Sequence, residues 1–241
     1  MKLFITSSPF VDGADRAIMD PQNGLIRRLK QALPPYCRCL YICSSPDRRD
    51  LNCTFGADVF QIFAQEGMAF SHYAVLDGDN AYEAKKLVME SDLIVLAGGH
   101  VPTQNAFFHK IRLPDILKDY NGVVLGISAG SMNMAEVVYA QPEEPGESGP
   151  NYKRFIYGLG LTHINVLPHY QKAKYYTVDG LHLYQQITLS DSIGHCFYAL
   201  PDGSYIYQDA HSCLLCGEGY RICEGVMTKL TEHGQILDLN R

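Results

Sequence analysis

The chain has 241 residues, 46% hydrophobic and 19% charged, so it can bury a sizeable core and composition forces no part of it into disorder. Against 26 Asp and Glu stand 20 Lys and Arg, and no basic block exceeds a pair such as Arg48-Arg49 between two aspartates, which excludes a nucleic-acid footprint. The opening run Met1 to Ile5 is too short for a secretory signal, and no later apolar run nears the roughly 18 residues of a membrane span, so a cytoplasmic protein with no membrane partner is expected.

Lys2 to Ser8 reads as the first strand, and Ser7-Ser8-Pro9 opens a loop continuing through Gly13. Asn23 is a candidate cap for a helix over Leu25 to Leu33, which Pro34-Pro35 stops. A strand over Arg38 to Ser44, a helix over Ala57 to Ala69, a strand over Tyr73 to Leu76, a helix over Ala81 to Glu90 and a strand over Leu93 to Ala97 follow in turn. Crossover helices make such strands parallel, and ligands of parallel sheets gather at the carboxyl edge. Gly98-Gly99-His100 lies at that edge, before a helix over Thr103 to Ile111. Paired glycines let backbone amides approach a ligand closely, although a plain tight turn has the same composition.

Val123 to Ile127 is the next strand, and Ser131 to Tyr139 reads as a helix, so Gly126-Ile127-Ser128-Ala129-Gly130 must turn sharply between them. This G-x-S-x-G pattern is that of a nucleophile elbow, in which glycines permit close strand-to-helix packing and the serine is lifted above the sheet edge. The Ala129 amide is then expected to face a developing oxyanion, with the Gly99 amide as second donor. A small-residue turn without chemistry would share the motif, so two further features weigh in.

The first is a base. After the acidic Pro/Gly loop over 141–150, a surface connection or a lid, the segment Gly158 to Tyr170 reads as a strand ending in Leu167-Pro168-His169-Tyr170. Imidazole is the ordinary partner of a hydroxyl nucleophile, and His169 at a strand end could reach Ser128. The second is a carboxylate to orient that imidazole, with Asp179, Asp191, Asp202 and Asp209 as candidates. Asp202 follows the strand Cys196 to Leu200 and so shares the edge, though Pro-Asp-Gly is also a common turn. Tyr205 to Leu239 alternates as β-hairpins. The eight cysteines, including Cys213-Leu214-Leu215-Cys216, read as reduced buried thiols rather than a metal site.

With Gly98-Gly99, Gly126-Ile127-Ser128-Ala129-Gly130-Ser131, Leu167-Pro168-His169-Tyr170 and Leu200-Pro201-Asp202-Gly203, the chain resembles the serine peptidase family of peptidase E (aspartyl dipeptidase) and cyanophycinase, from the first strand to Tyr207. The order Ser, His, acid separates it from α/β-hydrolases. The resemblance implies a class I glutamine-amidotransferase-like, flavodoxin-like fold: one three-layer α/β/α domain over residues 1–241, with a mostly parallel central sheet and C-terminal β-hairpins. It implies Ser128 as nucleophile, His169 as base, Asp202 as orienting acid and the amides of Gly99 and Ala129 as oxyanion hole, with His100, Gln104, Tyr170 and Lys172 expected at the substrate.

Two departures bear on specificity. His100 stands where the family commonly has asparagine after the two glycines, and the segment Tyr170 to Ala199 lacks the arginine thought to hold an acidic substrate side chain, with Lys172 and Lys174 its only cations. The expected reaction is serine-dependent hydrolysis of a small peptide, dipeptidase-like, its first residue acidic only if a lysine serves for the arginine. An amidase or esterase of the same fold and a non-catalytic ligand-binding protein stay open as other readings. No cofactor or metal is implied, and a homodimer is plausible.

Overall fold

The computed structural model describes residues 1–12 and 17–240. Leu93–Leu96 is apolar at every position and Val123–Ile127 is interrupted only by Gly126; both are buried along their whole length. Strands of this kind need cover on both faces, which a parallel sheet gains from its crossover helices.

The strands of the two larger sheets are, in chain order, β1 (Lys2–Thr6), β2 (Cys37–Ile42), β3 (Phe70–Leu76), β4 (Leu93–Leu96), β5 (Val123–Ile127), β6 (Asn165–Leu167), β7 (Cys196–Ala199), β8 (Tyr205–Gln208), β9 (Cys213–Cys216), β10 (Gly219–Cys223), β11 (Val226–Thr231) and β12 (Ile236–Asp238). The helices used below are α1 (Leu25–Ala32), α2 (Arg49–Gln65), α3 (Ala84–Met89), α4 (Val101–Lys110), α5 (Leu113–Leu117), α6 (Ala129–Met132) and α7 (Tyr170–Ala173). The central sheet has the order β12-β9-β8-β1-β5-β4-β2-β3. From β1 to β3 every pairing is parallel, while β8, β9 and β12 add an antiparallel flank. The fold is therefore α/β with a mostly parallel central sheet and antiparallel C-terminal strands. A second sheet, β6-β7-β10-β11, is parallel only between β6 and β7.

Register brings the ends of these strands together. Thr6 lies opposite Ile127, Leu96 opposite Gly126 and Ile42 opposite Leu96, so the loops after β1, β5, β4 and β2 leave the sheet at one edge. In the second sheet Leu167 pairs with Ala199, and the segments beyond them stay joined through Tyr170 N–H donating to Leu200 O at 3.1 Å. Ser7 N–H donates to Ser204 O and Gly203 N–H to Ser8 O, at 3.2 and 2.8 Å, which fastens the edge of one sheet to that of the other.

Several local expectations change. The helix expected over Ala57 to Ala69 starts at Arg49, because Asn52, Gly56, Val59 and Phe63 form one buried stripe at helical spacing. The elbow helix ends at Met132; Val137–Tyr139, β-branched and aromatic, is a strand paired antiparallel with Phe155–Tyr157. Only Asn165–Leu167 of the strand expected over Gly158 to Tyr170 is extended in a sheet. Asn23 does not cap α1; its amide donates to Gly203 O at 2.8 Å and so braces the turn after Asp202. Within the loop expected from Ser7 through Gly13, Phe10–Asp12 is instead a strand paired antiparallel with Ala17–Met19, and Gly13 lies outside the described residues. Not all cysteines are thiols: Cys196 and Cys223, directly opposite each other across β7 and β10, form a disulfide, and the remaining six are free. No helix among the described residues is long and apolar enough to cross a membrane.

Candidate active site

The elbow is built by close approach. A Cβ on Gly126 would come within 2.6 Å of the Ser131 backbone, and one on Gly130 would overlap the Leu96 carbonyl of β4. Side chains at either position would force β5 and α6 apart. Between the two glycines Ser128 adopts φ 52°, ψ −113°, a conformation that costs a non-glycine residue about 1–3 kcal/mol. Its own backbone bonds hold it there: Ser128 N–H donates to Ser7 O at 2.7 Å, and Ser128 O accepts from the N–H groups of Ser131 and Met132. Ser131 Oγ donates to Thr6 O at 2.7 Å and Thr6 Oγ1 to Gly126 O at 2.6 Å, locking the turn onto β1.

His169 also has positive φ, 56°, where the chain leaves β6 for α7. Its Nε2 lies 3.0 Å from Ser128 Oγ and its Nδ1 2.7 Å from Asp202 Oδ1. Of the four aspartates weighed from sequence, Asp202 alone meets the imidazole. Asp191 pairs with Arg154 and accepts from Tyr139 Oη, Asp179 accepts from Gly146 and Ser148, and Asp209 from Tyr207 Oη.

Ser7, which sequence reasoning passed over, is the hub. Its Oγ accepts the His169 N–H at 2.7 Å and donates to Asp202 Oδ1 at 2.8 Å, while its carbonyl holds the Ser128 N–H. Gln171, also missed, closes a two-bond ring with Asp202: Nε2 donates to Oδ2 at 2.5 Å and Oε1 accepts the Asp202 N–H at 3.0 Å. Burial alone would raise the Asp202 carboxyl, but the hydrogen bond and charge of His169, with the bonds from Ser7 and Gln171, outweigh it and hold the group below its usual value. Position was the available signal for Ser7, since Ser7-Ser8-Pro9 ends β1 at the edge the elbow shares.

Ser128 and His169 open into a cavity of about 810 Å³ whose wall includes Gly99 together with Gln141, Pro142 and Glu143 of the 141–150 loop, Lys172 of α7, and Tyr176 and Leu183 beyond that helix. Gly98 packs beside the elbow, where an added Cβ would meet Ser128 Cβ at 3.5 Å. Among the described residues the backbone amides of Gly99 and Ala129 have no hydrogen-bond partner. Another hollow, about 460 Å³ around Met1, Leu117 and Gln208, is at the amino ends of the parallel strands and brings no nucleophile and base together.

The sequence pattern of peptidase family S51 matches residues 46–215, a span running from the loop before α2 to β9 and containing Ser128, His169 and Asp202. The chain belongs to peptidase family S51. It is accordingly a serine-type peptidase. The fold agrees: a protein from Listeria monocytogenes EGD-e, provisionally assigned as a peptidase E and solved by crystallography, superposes with a TM-score of 0.59 at 12% identity, covering 95% of this chain and 98% of the other. At that identity the likeness carries the fold alone. No curated protein matches the chain in sequence.

Not all of the expected substrate contacts of this S51 chain reach the cavity. Lys172 does, and forms no ion pair among the described residues. Gln104 is fully buried, donating to Ala97 O at 2.7 Å and accepting from Asn133, so it holds the loop after β4 rather than a ligand. Tyr170 packs edge-on to Tyr184 and donates to Met227 Sδ. His100 is engaged at both nitrogens, by Thr103 Oγ1 and by Glu147 Oε1, each at 2.8 Å. Glu147 Oε2 accepts the N–H groups of Glu143 and Glu144, so the histidine after Gly98-Gly99 anchors the 141–150 loop over the cavity. His100, Glu144 and Glu147 bring three donor atoms within 4.8 Å of one another, but those of His100 and Glu147 are already satisfied by protein partners. Cys213 and Cys216 are buried within β9, where burial raises both thiols above their usual range.

Proposed function

We propose that this S51 peptidase cleaves short peptides, dipeptides foremost, through a Ser128-His169-Asp202 triad and an acyl-enzyme. Ser128 Oγ attacks the scissile carbonyl carbon as its proton passes to His169 Nε2, and Asp202 stabilises the resulting imidazolium through Nδ1–H. The negative charge formed on the carbonyl oxygen is met by the unpartnered amides of Gly99 and Ala129. Collapse breaks the C–N bond, with the Nε2 proton leaving on the amine; water, deprotonated by the same nitrogen, then releases the acid and restores Ser128.

The observation that carries this reading is the unbroken relay, 3.0 Å from Ser128 to His169 and 2.7 Å on to Asp202, opening into one cavity. A cavity of about 810 Å³ lined in part by Pro142 and Glu143 suits a peptide of a few residues. A panel of acidic, neutral and basic dipeptides, assayed beside p-nitrophenyl esters, tests it. Wild type should hydrolyse at least one dipeptide and Ser128→Ala none; dipeptide turnover unaltered in Ser128→Ala contradicts the mechanism.

A further inference from the structure

Among the described residues, Glu143 is the one acidic residue lining the cavity that holds Ser128 and His169. It stands on the loop that roofs the site, two residues past the buried Gln141, whose amide is fixed to Thr188 Oγ1 at 2.7 Å. Its backbone N–H is committed to Glu147 Oε2, whereas its carboxylate has no hydrogen bond or ion pair among the described residues. Much of the residue meets solvent at the cavity mouth, and protein crowds the carboxyl on its remaining sides. Crowding is the largest influence and pushes the group up to about 7, with His100 and His169 drawing it down and Glu147 and Glu144 adding to the rise. A carboxylate without a counter-ion at the mouth of the cavity is free to pair with a cationic ligand.

The reaction supplies one. In a peptide with a free N-terminus the ammonium nitrogen lies only about 2.5 Å from the first carbonyl carbon, because one Cα separates them. When that carbonyl is in reach of Ser128, about 3–3.5 Å from its Oγ, the ammonium must lie within the same cavity. An internal peptide bond would put a neutral amide there instead.

Resting on the serine-peptidase reading above, we infer that Glu143 binds the substrate's α-ammonium group and restricts the site to the first peptide bond of a free N-terminus. An acylated or internal segment leaves Glu143 unpaired and is disfavoured. Lys172, the cavity's other fixed charge without a partner, makes the site bipolar, as a zwitterionic dipeptide is.

Binding to catalytically silenced protein separates this assignment from the chemistry. Leucyl-alanine and N-acetyl-leucyl-alanine are titrated into full-length Ser128→Ala and into Ser128→Ala/Glu143→Gln by calorimetry. Glu143 is solvent-exposed and Gln keeps its shape, so matching melting curves confirm that both variants are folded. The assignment predicts at least tenfold tighter binding of the free dipeptide to Ser128→Ala and a preference below twofold once Glu143 is Gln. A preference that survives Glu143→Gln, or no preference with Glu143 present, absence of binding included, overturns it. Glu143-dependent discrimination combined with Ser128-independent turnover would keep the assignment and remove the triad mechanism, so the two readings fail separately.

Discussion

Ser128 and His169 both hold backbone conformations with positive φ, and both are tied to Ser7, so one buried serine at the end of β1 sets the distance between the proposed nucleophile and base. Ser128→Ala and His169→Ala should each lower kcat/KM by roughly four to six orders of magnitude with little change in melting temperature. Ser7→Ala removes the donor to Asp202 Oδ1 and the acceptor of His169 N–H; a stability loss of about 2 kcal/mol is expected, and a fall in kcat larger than any rise in KM. Asp202 is held below its unfolded value near 3.9, so its contribution to stability is present above that pH and lost as pH falls through the folded value. Acid titration of wild type against Asp202→Asn should therefore show a stability difference that closes below about pH 4. Glu143, pushed up to about 7, should show the opposite use of pH: binding of leucyl-alanine to Ser128→Ala tightens as pH rises through 7 and weakens again above about 8, where the ammonium is lost, while the N-acetyl compound shows neither change.

At the level of elements, the elbow depends on two missing side chains. Gly126→Ala or Gly130→Ala presses a methyl group into backbone and should cost about 1–3 kcal/mol in urea unfolding, with Ser128 misplaced as a result. The second sheet depends on a cross-strand disulfide. Alkylation of the denatured protein before and after reduction should modify six and then eight cysteines, and Cys223→Ser should lower stability by about 3 kcal/mol for a bridge spanning 27 residues. Elements whose signal is local were legible in sequence: β4 and β5 as apolar runs, α1 ahead of Pro34-Pro35, the G-x-S-x-G turn itself. The short length of α6 was not, because the strand Val137–Tyr139 is decided by its pairing with Phe155–Tyr157, where Tyr139 meets Phe155 sixteen residues further on, invisible to a window along the chain. The Cys196–Cys223 bridge was hidden for the same reason, since only the β7–β10 register puts the two residues opposite each other.

Over the whole molecule, one sheet supplies Ser128 and another His169 and Asp202, and the proposed function rests on how their edges meet. Ser128 and His169 were legible in sequence because each follows an apolar run that ends at a carboxyl edge, while Asp202 was singled out from four aspartates by the family resemblance. For Ser7 the only signal was its place at the end of β1, and for Gln171 there was none, because their hydrogen bonds exist only where the edges join. The 141–150 loop belongs to this scale too: His100 and Asp179 hold it from two sides, and His100→Ala should raise KM for small peptides more than it lowers kcat. The central claim, an activated Ser128, is tested most directly by intact-mass spectrometry after exposure to a small fluorophosphonate, with wild type beside Ser128→Ala and His169→Ala. A single adduct on wild type that is absent from both variants is the predicted result. No adduct on wild type, or an adduct that persists in Ser128→Ala, would contradict it.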